Sequence, residues 1–244
     1  MAAPLRLAVW SGPRNISTAM MRSWGNRADT VVVDEPLYAH YLKATGLPHP
    51  GVEEVLAHHE ADWRKVAEAL TGPVPGGKAI YYQKHMAHHL LPEIERGWLS
   101  RLTHLFLIRD PKEMLTSLMK VLPEPRVEDT GLPQQVELFE RVKAETGRTP
   151  PVFDSKDILD APGPMLQAMC TSVGVPFDPA MLNWPAGPRE TDGVWAKHWY
   201  AEVEKSTGFK PFRPKDEPVP ERLTSVYERC AELYDVLARH RVKA

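Results

Sequence analysis

Apolar residues recur along this chain with two different spacings, and the alternation between them predicts the architecture. Five short runs rich in β-branched and aliphatic residues read as strands: "LRLAVW" from Leu5, "TVVVDE" from Thr30, "KAIYYQKH" from Lys78, "HLFLIRD" from His104 and "PVFDSKDI" from Pro151. Between them the apolar spacing lengthens to that of a helix. Residues 51–70 place Val52, Val55, Leu56, Trp63, Val66 and Leu70 on one helical stripe. Leu223, Val226, Tyr227, Cys230, Leu233, Tyr234 and Leu237 form a second stripe, and both are assigned to the core. Strands alternating with helices predict an α/β three-layer sandwich, with a central parallel sheet covered on both faces. Proline and glycine gather in "TGPVPGG" at Thr71, "LPEPRVEDTGLP" at Leu122 and "NWPAGPRETDG" at Asn183, which read as loops over the sheet. The segment "FKPFRPKDEPVPE" from Phe209 reads as an extended connector.

Composition narrows this picture without changing it. A chain of 244 residues suffices for a sizeable core and for a single α/β domain over 1–244. The formal charge of −2 gives no global attraction to nucleic acid or anionic membrane, so neither is an expected partner and any anion site is local. No apolar stretch is long enough to span a bilayer and the N-terminal run lacks the layout of a secretion signal, so the expected location is cytoplasmic. Cys170 and Cys230 are too few for a disulfide framework or a zinc knuckle and are expected as buried thiols. Oligomeric state is left open.

Candidate chemistry begins where the first strand run enters "SGPRNISTAM". A strand, a tight small-residue loop and a helix start bring backbone N–H groups and the positive end of a helix dipole together, which is an anion site. A nucleotide triphosphatase loop reads G-x-x-x-x-G-K-[ST], its lysine reaching the outer phosphates and its final hydroxyl binding magnesium. Counted from Gly12, the last three positions here are Ser17, Thr18 and Ala19, so both groups are absent, while Arg14 brings a guanidinium earlier in the loop. This composition favours a metal-free anionic donor over a magnesium nucleotide; the competing reading is a plain strand-to-helix connection with Arg14 on the surface.

Three further stretches carry charge or titratable groups at element ends. "IRDPKEMLTS" sets Arg109 at the end of the fourth run and Ser117 eight residues later, two turns into a following helix. "RETDGVWAKHW" sets Arg189 six residues before Trp195. "YYQKHMAHHLLPE" offers Lys84 with His85, His88 and His89. His85 and His89 are four apart and can share a helical face, but no motif places a third ligand, so no metal is expected.

Together these four stretches resemble, in order, the motifs of the sulfotransferases that use 3′-phosphoadenosine 5′-phosphosulfate (PAPS). "GPRNISTAM" is similar to the family's 5′-phosphosulfate loop, with Arg14 at the lysine position, Ser17 and Thr18 at two threonines, and Ala19 where cytosolic members carry a tryptophan against adenine. The resemblance implies donor binding by Gly12, Pro13, Arg14, Asn15, Ile16, Ser17 and Thr18, by the 3′-phosphate pair Arg109 and Ser117, and by Arg189, beside which Glu190 and Thr191 replace the family's Lys and Gly. It implies a P-loop-like fold, PAPS as co-substrate and a small-molecule acceptor with a hydroxyl or amine. Arg14 and Lys84 would offset charge on the bridging oxygen, and His85, next to Lys84, would take the acceptor proton, with His88 as the rival base. "DEPLYAHYL" adds Asp34, Glu35, Tyr38 and His40 near the crevice; Glu35, Tyr38 and His88 are the acceptor-contact candidates, although carboxylates at a strand end also cap helices. Two rival functions stay open: a small-molecule kinase with an atypical loop, using Asp34 for magnesium, and a module that binds PAPS or its bisphosphate product without chemistry.

Overall fold

The computed structural model describes residues 3–244. In chain order its strands and α-helices are β1 (Leu5–Ser11), α1 (Ser17–Gly25), β2 (Thr30–Asp34), α2 (Tyr38–Thr45), α3 (Val52–His58), α4 (Trp63–Thr71), β3 (Ile80–Met86), β4 (Thr103–Ile108), α5 (Pro111–Leu118) and α6 (Leu132–Thr146). They continue with β5 (Val152–Asp154), α7 (Ser155–Asp160), α8 (Pro162–Ser172), α9 (Ala196–Trp199), α10 (Ala201–Glu204) and α11 (Thr224–Ala238). All five runs read as strands from the sequence are strands, paired in parallel in the order β2-β3-β1-β4-β5. β1 is central, with Val9 opposite Lys84 and Leu105, and Trp10 opposite His85 and Phe106.

Side chains on a strand alternate between faces, so β1 feeds two cores. Ala8 and Trp10 pack with Phe106, Leu115, Phe139 and Leu237 under α5, α6 and α11. Leu7 and Val9 pack with Met20, Met21, Trp24, Leu166 and Met169 under α1 and α8. Neighbouring strands β1 and β4 therefore send their following helices, α1 and α5, to opposite faces of the sheet. A crevice opens where the chain diverges in this way, beyond the carboxyl ends of two adjacent strands, and α/β sheets bind ligands at such points.

Two expectations are corrected. The stripe over residues 51–70 is two helices: His59 is extended (φ −123°, ψ 147°), and the Asp62 carboxylate accepts from the Arg64 N–H at 3.0 Å to start α4 afresh. Within α3 it is Val55 that faces the core, and Leu56 beside it is 39% exposed instead of lying in the core. The fifth run ends as a strand at Asp154, whose side chain accepts from the Lys156 N–H at 2.7 Å and opens α7. Cys170 and Cys230 are free and buried, and no helix among the described residues is long and apolar enough to cross a membrane.

The crevice edge is tied by a buried glutamine from α6. Gln135 donates through Nε2 to the Trp10 carbonyl at 3.0 Å and the Leu107 carbonyl at 3.1 Å, linking the ends of β1 and β4. Gln135→Leu removes both bonds while keeping the bulk, so stability should fall by about 1–3 kcal/mol in urea denaturation. An unchanged midpoint would show that the strand ends do not need this tie.

Candidate functional site

The loop after β1 is shaped by a close approach and by one residue in a costly conformation. A Cβ on Gly12 would clash with the Thr130 carbonyl oxygen, so only glycine lets the segment after α5 cross the end of β1. Arg14 has φ +58°, a region that residues with a Cβ seldom enter. Asn15 anchors the turn, donating through Nδ2 to the Leu107 carbonyl at 3.1 Å and accepting the Ile16 N–H at 2.8 Å. The Ile16 amide is thus satisfied within the loop. α1 has no side-chain cap and no acidic residue in its first turn, so the amides around Ser17 and Thr18 and the helix dipole face the crevice uncompensated.

The β4–α5 corner meets this loop. The Arg14 Nε–H donates to Ser117 Oγ at 2.9 Å, and the Arg109 guanidinium donates to the Arg14 carbonyl oxygen and pairs with Glu113 at 3.2 Å. Burial, and then the charge of Arg109, hold the Arg14 guanidinium below its ordinary pKa. The Arg14 guanidinium, its charge disfavoured by Arg109, is therefore fixed beside an uncapped helix N-terminus, which is an arrangement an anion relieves. The two motifs separated by 92 residues or more in sequence share one corner.

A second group lies at the ends of β2 and β3. Lys84 is buried, and its Nζ donates to Asp34 at 2.8 Å, Glu35 at 2.5 Å and the Tyr200 hydroxyl at 2.7 Å. Tyr200 OH also donates to the second Asp34 oxygen at 2.7 Å. These carboxylates raise the Lys84 pKa against the opposing effect of burial. Glu35 is pushed the other way from an ordinary carboxyl: desolvation, reinforced by the neighbouring Asp34, raises its pKa despite Lys84. Glu35 also has φ +41°; among the described residues it and Arg14 are the only non-glycine residues with positive φ, and both sit where a strand enters the crevice. Backbone conformations of this cost persist where function uses them.

The histidines separate. His85 is 1% exposed and lies on the opposite face of β3 from Lys84, stacked on Trp10 with ring centroids 4.2 Å apart. Its Nε2 is 3.3 Å from Gln83 Oε1, and burial lowers its pKa to about 3. His88 and His89 occupy the turn after β3. His89 stacks on Tyr38 at 4.9 Å, with its Nδ1 4.0 Å from Glu35, and His88 meets Tyr41 edge-on at 5.3 Å, its pKa lowered by burial to about 4. Glu35, Tyr38 and His89 thus form one cluster with His88 at its margin, while His85 belongs to the core beneath Trp10.

Arg189 is engaged within its own loop, donating to the Pro185 carbonyl at 2.6 Å. That loop is fastened to α1 by Arg22 and Asp192, a buried bidentate pair at 2.6 and 2.7 Å. Trp195 is buried against Tyr38, so it anchors the loop on the core. Sequence reasoning missed Tyr200, which joins α9 to α10 one residue beyond the Arg189–Trp199 stretch, and Gln135, which lies inside α6 with no motif around it.

A five-stranded sheet of this order, with an anion-ready loop at the divergence of β1 and β4, defines an α/β protein of the P-loop-like class. The sequence model of the sulfotransferase domain matches residues 5–231, and the chain belongs to that family. Among solved structures, the sulfotransferase domain of the Synechococcus PCC 7002 olefin synthase covers 96% of this chain and 96% of its own at 18% identity, with a TM-score of 0.59. The sulfotransferase from Alicyclobacillus acidocaldarius covers 99% and 98% at 12% identity, with a TM-score of 0.57. At such identities the likeness concerns the fold. Two curated relatives from Arabidopsis thaliana, branched-chain-amino-acid aminotransferase-like proteins 1 and 2, are 38% and 34% identical over 98% and 95% of this chain. The chain spans only 43% and 41% of their lengths.

The raised pKa of Glu35 carries a sign for stability. A carboxyl that holds its proton to higher pH in the native state than in the unfolded chain stabilises below the ordinary carboxylate range, and that stability is lost as pH rises through the native pKa. Glu35→Gln should therefore flatten the decline in unfolding free energy that the wild type shows as pH rises above the ordinary carboxylate range. Identical pH profiles for the two proteins would mean that Glu35 titrates as an exposed carboxylate.

Proposed function

We propose that this domain transfers a sulfuryl group from PAPS to a hydroxyl or amine of a small-molecule acceptor. The observation that carries the reading is the convergence of Arg14, Arg109 and Ser117 at the divergence of β1 and β4, against an uncapped helix start. Gly12, Pro13, Ser17 and Thr18 line the loop that would cradle the 5′-phosphosulfate, with Asn15 and Ile16 holding its shape. Arg109 and Ser117 would take the 3′-phosphate. Arg14, bonded to Ser117 and next to the loop amides, is placed to offset charge that grows on the bridging oxygen as the sulfur–oxygen bond breaks. A kinase is the weaker reading, because Asp34 is already spent on Lys84 and Tyr200 and Ala19 offers no hydroxyl for magnesium.

For the acceptor proton we assign Glu35 in place of His85. A carboxyl with a raised pKa, partly exposed and beside Tyr38 and His89, suits proton acceptance, whereas a ring buried under Trp10 with a lowered pKa does not. Lys84 then orients Glu35. As the acceptor oxygen or nitrogen bonds to sulfur, its proton passes to Glu35 and adenosine 3′,5′-bisphosphate departs.

The donor assignment predicts a selective loss. Arg109→Ala should weaken adenosine 3′,5′-bisphosphate by roughly 1.5–3 kcal/mol in calorimetry and leave adenosine 5′-phosphate nearly unchanged. Equal weakening of both ligands would remove the 3′-phosphate assignment. For the base, single-turnover assays use the first acceptor that the wild type sulfates from a panel of phenols, alcohols and amines. Glu35→Gln should abolish most transfer with donor affinity retained, while His85→Asn and His88→Asn keep most of it. A dead His85 variant beside an active Glu35 variant returns the role to His85. Donor binding with no turnover on any acceptor favours a binding module.

A further inference from the structure

The proline-rich stretch from Phe209 onward, an extended connector in the sequence, runs across the start of α5. It is fastened at four points: Lys156 Nζ lies 5.5 Å from the Phe212 ring centre, the Lys215 N–H donates to Glu113 at 2.7 Å, Lys120 pairs with Glu217 at 2.9 Å and Arg222 with Glu124 at 2.9 Å. This course carries the Lys215 side chain to the anion corner. Its Nζ donates to the Glu113 carbonyl oxygen at 3.3 Å, a long bond that uses one of three N–H groups. Glu113 is also the carboxylate that pairs with Arg109, and Ser117, the partner of Arg14, lies one turn further along the same helix.

Lys215, Arg109 and Arg14 are therefore ranged along one edge of α5. Three carboxylates stand nearby, of which Glu217 pairs with Lys120 at 2.9 Å. Glu113 pairs with Arg109, and Asp110 caps α5 by accepting from the Glu113 N–H at 3.1 Å. Positive charge is in surplus, and the Lys215 ammonium is held below its ordinary pKa first by burial and then by Arg109. The Arg189 loop does not fill this corner with its own cation, since Arg189 bonds to Pro185 and the next position is Glu190.

We propose that Lys215 is a third cationic ligand of the donor's 3′-phosphate, supplied by the strap after Phe209, and that it contributes the preference for a dianionic phosphate monoester over a bare ribose hydroxyl. This rests on the donor reading above and adds to it a residue from a segment outside the four motif stretches. The backbone bond from Lys215 to Glu113 does not involve the side chain, so substitution leaves the strap fastened.

The test is calorimetry in low-salt, magnesium-free buffer with adenosine 3′,5′-bisphosphate and adenosine 5′-phosphate, on wild type, Lys215→Ala, Lys215→Arg and Arg109→Ala, with thermal melts of each. Lys215→Ala should weaken the bisphosphate about tenfold and the monophosphate less than about twofold, with an unchanged melt, and Lys215→Arg should recover most of the loss. Bisphosphate affinity equal to wild type overturns the proposal, as does equal weakening of both ligands with a lowered melt, which would make the strap merely structural. If Arg109→Ala loses the preference for bisphosphate while Lys215→Ala keeps it, the donor reading stands and Lys215 has no part in it. A wild type with no preference between the two ligands overturns both.

Discussion

Two guanidinium groups fixed against each other at the mouth of a crevice are the constraint on which the site rests. Arg14 and Arg109 come from neighbouring strands whose helices leave for opposite faces, so no single element can carry both. Their approach is enforced from below: Arg109 grips the Arg14 backbone, Asn15 grips β4, and Gln135 ties the ends of β1 and β4. Gly12 makes room for the crossing segment that closes the corner. The sheet thus holds like charges together at the positive end of α1, and electrostatic preorganisation of this kind is most useful to a reaction in which negative charge moves.

The ends of β2 and β3 are built on the opposite balance. One ammonium, Lys84, faces Asp34 and Glu35 in the interior, and Tyr200 bridges them. Removing charges from water is expensive unless each is paired and hydrogen-bonded, and here Asp34 and Lys84 are the better-satisfied pair. Glu35 is the remainder, set at positive φ with one oxygen toward His89, its proton held more tightly than in an ordinary carboxyl. A cation-rich corner and a carboxylate-rich corner therefore flank the central strand, and the proposed transfer assigns the donor's anion to the first and the acceptor's proton to the second.

Most of the framework is legible in the sequence because strand runs and glycine-rich turns are local. Each of the five runs forms a strand, and the loop from Gly12 and the Arg109–Ser117 spacing meet in space because parallel strands place every such end on one edge. What sequence hides is direction and distance. Lys84 and His85 are adjacent, and adjacency along a strand is what sends side chains to opposite faces, one into the carboxylates and one under Trp10. Leu56 fits a continuous helical stripe, but the stripe is two helices, and in the first of them Val55 takes the core position. Lys215 lies in an extended stretch without a pattern, and only its fastening to Glu113 brings it to the corner.

The central claim is that the crevice receives an adenine nucleotide phosphorylated on its 3′ side without a metal. Thermal melts with adenosine 3′,5′-bisphosphate and with magnesium–ATP, each repeated with a chelator, test it most directly, because only a ligand that binds the native state raises the melting temperature. The account predicts a shift with the bisphosphate that the chelator leaves intact, and little with magnesium–ATP. A shift with magnesium–ATP that the chelator abolishes, and none with the bisphosphate, would contradict it.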